Sequence, residues 1–592
     1  MDAAISQARA LSEGGSTLPH EAALPLLLPL LPLDARACAA CVCRAWRAAT
    51  SNPLLWEELS FERCAARVND ATLASLCARA GTALRTLDLE GDACTHVSAK
   101  GMLAALRGGG CAGVRRLNVP FLPWVLVNLL TVKQAQQLAA ACPMLQHAAC
   151  TVCCDLSDAA AIATTLPGPL TLTSTGFGLP FSAPGLTQLA ECLRVNTTLT
   201  SLDLSHYLIG DAGAAQLAEC LRVNTALKTL NLHRNHISVA GATQLADCLR
   251  LNATLTSLGL SRNGIGITGA TQLAECLHLN ATLTGLNLDT CNMGDAGATQ
   301  LVQCLRVNTT LTSLNLARNN IEVVPQLAEC LRVNSSLKSL DLGNNMIGNA
   351  GAAQLAEGLR VNTALTGLYL YDTQIGDTGA TQLGECLHVN ATLMHLDLSE
   401  NVICSEGAKH LAEGLRVNTA LTSPSLESND ISDGGVAKLA DTLHVNATLT
   451  DLDLTRNNIG VAGCIRLAAS LRVNATLTEL NLRDNQLGVA GATQLAESLR
   501  VNATLTDLSL GHNAIGNLGV TQLAECLRVN ATLKSLDLGF NGIGAPGAAQ
   551  LAESLRVNTT LTDLDLRSYI SPDDAGWDAL RALCPPQCMI TF

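Results

Sequence analysis

Three groups of residues in this chain have types and spacings that belong to chemistry. His395, Asp397 and Ser399 are the trio of a hydrolytic site, and Cys150-x-x-Cys153-Cys154 has a zinc-ligand spacing. Asn-x-Thr or Asn-x-Ser sequons recur at Asn196, Asn252, Asn280, Asn308, Asn334, Asn390, Asn446, Asn474, Asn502, Asn530 and Asn558. The trio fails on distance: alternating along one strand at ~3.3 Å per residue, His395 and Ser399 stand ~13 Å apart, beyond the hydrogen bonds that catalysis needs. The cysteine cluster has no second Cys or His pair at ligand spacing, and no Gly-rich loop leads into Lys-Ser/Thr. No catalytic residue, metal or cofactor is therefore expected. The sequons coincide with the asparagine that ends each predicted helix and the threonine that opens the next turn, so they read as structure rather than as glycan acceptors.

Leu199 to Asn224 reads LTSLDLSHYLIGDAGAAQLAECLRVN, and the chain repeats it nearly to its end. LxxLxL units begin at Leu199, Leu227, Leu255, Leu283, Leu311, Leu337, Leu365, Leu393, Leu421, Leu449, Leu477, Leu505, Leu533 and Leu561, every 28 residues except for 26 between Leu311 and Leu337. A fixed period of this size predicts a solenoid. In each unit Leu202 and Leu204 face inward while Ser201 and Asp203 face out, the pattern of a strand buried on one side. Asp211 stands where a helix cap belongs, Leu217, Leu221 and Val223 are expected on one helical face, and Asn224 suits a left-handed C-terminal cap. Strands pack ~4.8 Å apart and helices ~8–10 Å apart, so such a stack must curve toward its strands. The expected fold is an α/β horseshoe solenoid with parallel strands concave and helices convex.

The repeat LxxLxLxxNxIGxxGAxxLAxxLRxN resembles the leucine-rich repeat of the ribonuclease-inhibitor class, the long type also carried by NOD-like receptors. Upstream, Leu18-Pro19-x-Glu21, Leu31-Pro-Leu-Asp34, Val42-Cys43-Arg44-x-Trp46-Arg47 and Pro53-x-Leu55-Trp56 make a compact helical stretch that is similar to an F-box, the module that docks onto the Skp-type adaptor of cullin-based ubiquitin ligases. The resemblance implies that Leu18, Pro19, Leu26, Leu30 and Trp56 bury the adaptor's hydrophobic helices, and that Val42 and Trp46 hold the small bundle together. Pro25 and Pro29 fall inside its first helix, where each removes a backbone hydrogen bond at a cost of ~3 kcal/mol, on positions that the pattern leaves exposed.

The expected organisation is a tail (1–17), an all-α F-box-like module (18–63), irregular repeats (64–168), regular 28-residue repeats (169–570) and a C-terminal cap (571–592). The cap includes a helix over Asp573 to Cys584. Two irregularities interrupt the array: Val323-Val324-Pro325 where a helix should start, and Pro424 in place of a core leucine, which should fray its strand.

Composition narrows the partners. A net charge of −13 opposes nonspecific binding to nucleic acid and to membrane surfaces. No unbroken apolar run of ~20 residues exists, and no signal peptide is expected in a start where Glu21 precedes the apolar Leu24 to Leu33. Eight of the 24 cysteines, Cys192, Cys220, Cys248, Cys276, Cys304, Cys330, Cys386 and Cys526, share one repeat position that elsewhere holds Gly, Ser or Thr. They read as reduced, buried thiols, which points to the cytoplasm or nucleus.

Outward strand positions supply the candidate partner-binding residues. Tyr369 and Tyr371, two of only four tyrosines, lie one strand from His395 and Asp397, and acid accumulates at Asp451, Asp453, Glu479 and Asp507. Tyrosine is enriched at binding hot spots, and the acid would steer a basic partner. The expected function is a non-catalytic scaffold: the substrate-recognition subunit of a Skp–cullin–F-box ubiquitin ligase, holding an unknown, basic protein target on the concave face. The alternatives are a stoichiometric binder or inhibitor of a basic protein, in the ribonuclease-inhibitor style, and a NOD-like sensor fragment.

Overall fold

A computed structural model describes residues 57–60, 68–89, 97–119, 132–145, 147–153, 169–173, 183–322, 326–567 and 588–591. They fall into two units, Met1–Gly259 and Leu260–Phe592. Leu18, Pro19, Leu26, Leu30, Val42, Trp46 and Trp56 lie outside the described residues, as do Val323-Val324-Pro325 and the helix expected over Asp573 to Cys584.

In the first unit, eight strands from Glu58–Ser60 to Ser257–Gly259 run parallel, each paired with the next in sequence. His147–Cys153 is one of them, in the stretch where the leucine spacing fades, and it carries Cys150 and Cys153. In the second unit the same parallel ladder runs from Gly285–Asn287 to Asp563–Asp565 and closes on Met589–Thr591. A helix follows nearly every strand, so both units are leucine-rich-repeat solenoids.

Alternation places the core. In Asp451–Asp453, Leu452 is buried with Leu454 beyond it, while Asp451 and Asp453 stay partly exposed. Gly348–Leu359 turns Ala352, Leu355, Ala356, Gly358 and Leu359 inward. The Gly358 position is the cysteine column of the other repeats; Cys220, Cys304 and Cys330 are buried free thiols whose pKa values burial pushes up to about 12.

Asparagine stitches repeat to repeat. The Asn485 amide donates to Leu454 O at 2.9 Å and Leu482 O at 3.0 Å, while its oxygen accepts from the Asn457 and Ile459 amides at 3.0 and 2.9 Å. A buried loop backbone is thereby hydrogen-bonded without a strand partner.

Four local expectations need correction or refinement. Asp211 does not cap its own helix, Gly210–Leu221, whose N-cap position is Ile209. Its carboxylate accepts from the Ser238 and Gly241 amides at 2.7 and 2.9 Å, capping the next repeat's helix. Val223 is not on the buried face but 58% exposed, because the helix ends at Leu221 and the chain turns away. Asn224 is not a left-handed cap: among the described residues with positive φ it is absent, and its buried amide reaches back to Leu193 O at 2.5 Å while its oxygen accepts from Ala226 and Leu227. Pro424 frays one side only. Ser423–Ser425 keeps full register with His395–Asp397, but toward Asp451–Asp453 only Ser425 pairs, with Asp453, since proline has no N–H to give. Within the 26-residue repeat the described helix is Gln326–Val333.

The Asp211 arrangement recurs. Asn349, Asp377, Asp433 and Asn517 each accept from two amides at the start of the following helix. Those helices begin after an extended residue, as Gly376 and Gly460 do. Where the preceding helix carries Ile267, Val461 or Val489 instead, the next begins on a glycine of positive φ, Gly294, Gly488 or Gly516. Without a side-chain acceptor the entry is made by a left-handed residue, and glycine adopts it at least cost.

Candidate protein-binding face

Strand alternation puts one column of side chains, and the residue two further on, onto the strand face of the second unit. Gly367–Tyr369 pairs with Ser339–Asp341 on one side and His395–Asp397 on the other, so Asp341, Tyr369 and Asp397 stand in one row. His395 faces Gly367 in the row beside it and is exposed. The four residues Tyr369, Tyr371, His395 and Asp397 are thus brought onto adjacent strands.

Both tyrosine rings lie on glycine. A Cβ at Gly343 would come within 2.2 Å of a Tyr371 ring carbon, and one at Gly367 would meet the Tyr369 ring at 3.4 Å. Tyr371 leans across Gly343 toward Arg318, whose guanidinium carbon sits 5.9 Å from the ring centroid and whose Nη1 is 3.4 Å from Asp289 Oδ1. Burial, then Asp341, pushes the Tyr371 phenol up. The Asp341 carboxyl is also pushed up, by burial first, with Asp289 and Asp397 adding to it against a hydrogen bond from the Gly343 amide at 2.9 Å.

Ser399 is buried and donates to Asp397 Oδ1 at 2.6 Å, while its amide donates to the same oxygen at 2.9 Å. Asp397 therefore shapes the turn after its strand. The arrangement is a local one between hydroxyl and carboxylate rather than a catalytic relay.

The acidic residues continue the face. Asp451 and Asp453 are opposite Glu479 and Asn481, and Asp507 is opposite Glu479 from the other side. Burial first raises the pKa of Asp451, Glu479 and Glu427, and neighbouring carboxylates raise each further; His395 and the Ser423 hydroxyl, 2.7 Å from Asp451 Oδ2, work the other way on Asp451. Among the described residues none of Asp397, Glu427, Asp451, Asp453, Glu479 and Asp507 forms an ion pair. Farther along the chain the acid is answered: Arg483 Nη1 reaches Asp537 at 2.8 Å and Arg567 pairs with Asp565. The acid of this face is therefore without ion pairs in its middle repeats, where Arg456 and His395 act on Glu427 and Asp451 through their fields, and paired toward its last ones.

The sequence pattern did not single out Arg318, Asp289, Gly343, Gly367 and Glu427. For Asp289, Gly343 and Glu427 the signal was available in the column two residues past each outward strand position, where Tyr371 and Glu427 replace the small residues of most repeats.

Comparison with known proteins agrees with this architecture. A family model described as F-box-like matches residues 16–62. One described as Leucine Rich repeat matches eleven segments from 195–218 to 529–552, passing over the stretches between 356 and 389 and between 412 and 445. The first of these carries Tyr369 and Tyr371, the second Pro424 and Glu427, and both fold as ordinary repeats with helices Asp377–Leu387 and Ser432–Leu443. No curated protein gives a significant sequence match. Among solved structures, an internalin from Listeria monocytogenes is 20% identical, with a TM-score of 0.38 over 64% of this chain and 89% of its own. The actin-binding site 2 of leiomodin-1 is 21% identical, with a TM-score of 0.23 over 26% of this chain and 88% of its own. Neither likeness carries an argument about function.

Proposed function

From the premise that this chain is an F-box protein with leucine-rich repeats, and so a protein-interaction scaffold, we propose that it is the substrate-recognition subunit of a Skp–cullin–F-box ubiquitin ligase. The observation that carries the proposal is the pairing of modules in one chain: an F-box-like match at 16–62 precedes a long strand face whose middle repeats depart from the repeat pattern at half-buried tyrosines. Leu18, Pro19, Leu26, Leu30 and Trp56 all fall within the F-box-like match and would insert into the adaptor. The repeats would hold the target on Tyr369, Tyr371, His395 and Asp397 and on the acid from Asp451 to Asp507. Both modules act by binding; the transfer of ubiquitin belongs to the other subunits. Free buried thiols support a place in the cytoplasm or nucleus.

Co-purification with a Skp-type adaptor tests the reading, with a Leu18→Ala, Trp56→Ala double variant beside the wild type. Retention of the wild type and loss of the variant are expected. If neither is retained while both give the circular dichroism of the folded repeats, the ligase reading fails. The chain is then a stoichiometric binder, a second reading favoured by the acid without ion pairs on the strand face.

A further inference from the structure

The strand face already seats one cation of its own. Arg318 lies against the Tyr371 ring, its guanidinium carbon 5.9 Å from the centroid, with Asp289 3.4 Å from Nη1. An aromatic face with a carboxylate beside it is a favourable seat for a cation, since the ring quadrupole and the carboxylate attract the same charge. Two residues earlier, on the strand that leads into Tyr371, the parts recur without the cation. The Tyr369 ring leans over Gly367, and its row places Asp341 on one neighbouring strand and Asp397 on the other, each ~4.8 Å away along the sheet. Among the described residues no lysine, arginine or histidine forms an ion pair with Asp341 or Asp397, and none stacks on Tyr369. Arg318 is engaged by Tyr371 and Asp289 and acts on Asp341 only through its field.

We propose that Tyr369, in register with Asp341 on one neighbouring strand and with Asp397 on the other, is the seat for a lysine or arginine side chain presented by the protein target. The cation lies on the half-exposed ring, and its charge is shared by the two carboxylates. Gly367 lies beneath the ring, a Cβ there meeting it at 3.4 Å, where most repeats carry a larger residue such as Ser339 or Ser423. The net charge of −13 and the acid running on to Asp507 without ion pairs favour a target segment with further basic residues around the seated one. This rests on the ligase-receptor reading only in taking the occupant to be the target.

The test is a selection of short random-sequence peptides on the full-length protein, run in parallel on Tyr369→Leu, Tyr369→Phe and Asp397→Asn. Wild type and Tyr369→Phe are expected to enrich peptides with lysine or arginine at one fixed position. For the best synthetic peptide, neutralising that residue as norleucine or citrulline should weaken binding roughly five- to thirtyfold. Tyr369→Leu should weaken the basic peptide by a similar factor and leave the neutral one unchanged. The proposal is overturned if no fixed cation emerges, or if the affinity of the cation-bearing peptide is the same for Tyr369→Leu as for wild type. The circular dichroism and denaturant unfolding of Tyr369→Leu, expected to match wild type, report folding of the repeats. Because peptide binding is read without the adaptor, failure of the seat and failure of the ligase reading are separate outcomes.

Discussion

At the residue scale, many buried polar side chains of this solenoid work for a neighbouring repeat rather than for their own. Asp211 was expected to cap its own helix, and its type and position alone made that natural; what decides otherwise is that the next repeat brings the Ser238 and Gly241 amides to 2.7 and 2.9 Å. Hydrogen bonds from Ser238 and Gly241 outweigh partial burial and hold its pKa below the ordinary carboxylate range. A depressed carboxyl contributes stability above its unfolded pKa and loses that contribution as pH falls through the folded one. Asp211→Ala should cost about 1 kcal/mol, and Asp211→Asn much less, because Asn349 and Asn517 do the same task. Hydrogen exchange at Ser238 and Gly241 is the measurement. Protection in the wild type should fall as pH drops below about 4, whereas in Asp211→Asn it should not follow this titration. The sequon asparagines make a second case. Asn446 is buried, with its amide on Leu415 O at 2.7 Å and its oxygen accepting from Thr448 and Leu449. A glycan on that nitrogen would displace the hydrogen bond to Leu415, so glycosylation and this fold exclude each other. Asn446→Ala leaves carbonyls and amides unpaired and should destabilise by about 2–3 kcal/mol, read by denaturant unfolding.

At the element scale, a strand inside a parallel ladder is judged by both of its neighbours, and Pro424 separates the two. Its register with Leu396 is kept, yet the bond that a leucine amide would give to the following strand is missing. The Ser423 hydroxyl, donating to Asp451 Oδ2 at 2.7 Å, links the strands at the edge of that gap. Pro424→Leu should restore the pairing of Leu452 and stabilise the protein by about 1 kcal/mol, the gain of one hydrogen bond and added packing less the stiffness that proline lends the unfolded chain. Slower exchange of amides in Asp451–Asp453 would confirm it, and unchanged exchange would show that the proline ladder was already complete through water. Fold at this scale was legible because leucine spacing fixes both strand face and helix face, and glycine marks the entry to many helices. His147–Cys153 was not legible, since its pairing is imposed by the strands on either side and its own leucine spacing is lost. The candidate site was half legible. Rare side chains such as Tyr369 announce themselves, but the glycines beneath the rings and the seating of Arg318 on Tyr371 depend on lateral register, which a linear pattern does not display.

At the scale of the whole molecule, the F-box-like match lies in the first unit and the acidic face in the second, so the two proposed tasks draw on different parts of the chain. Loss of one should leave the other. Leu18→Ala, Trp56→Ala is expected to abolish adaptor retention while a basic peptide that wild type binds keeps its affinity, and Tyr369→Leu to do the reverse. The acid of the face adds a pH dependence to target binding whose sign follows from its surroundings. Burial, reinforced by like charge, raises the pKa values of Glu427, Asp451 and Glu479. These carboxylates therefore take up protons at a higher pH than isolated ones, and in doing so lose their attraction for a cation. Affinity for a basic peptide should be full at neutral pH and begin to fall above the ordinary carboxylate range near 4. It should also weaken with salt, since the charges lie on an exposed face. Glu427→Gln, Asp451→Asn and Glu479→Gln combined should weaken binding at neutral pH and flatten the acid limb of the profile. Folding responds with the opposite sign: carboxyls with raised pKa values cost stability when ionised, and that cost is relieved as they protonate. A fluorescence titration of the peptide from neutral to mildly acidic pH, beside denaturant unfolding at the same pH values, separates the two. Binding that weakens while the fold holds would show that the face trades stability for charge; binding and fold failing together would place the loss in unfolding and remove the acid from the account of recognition.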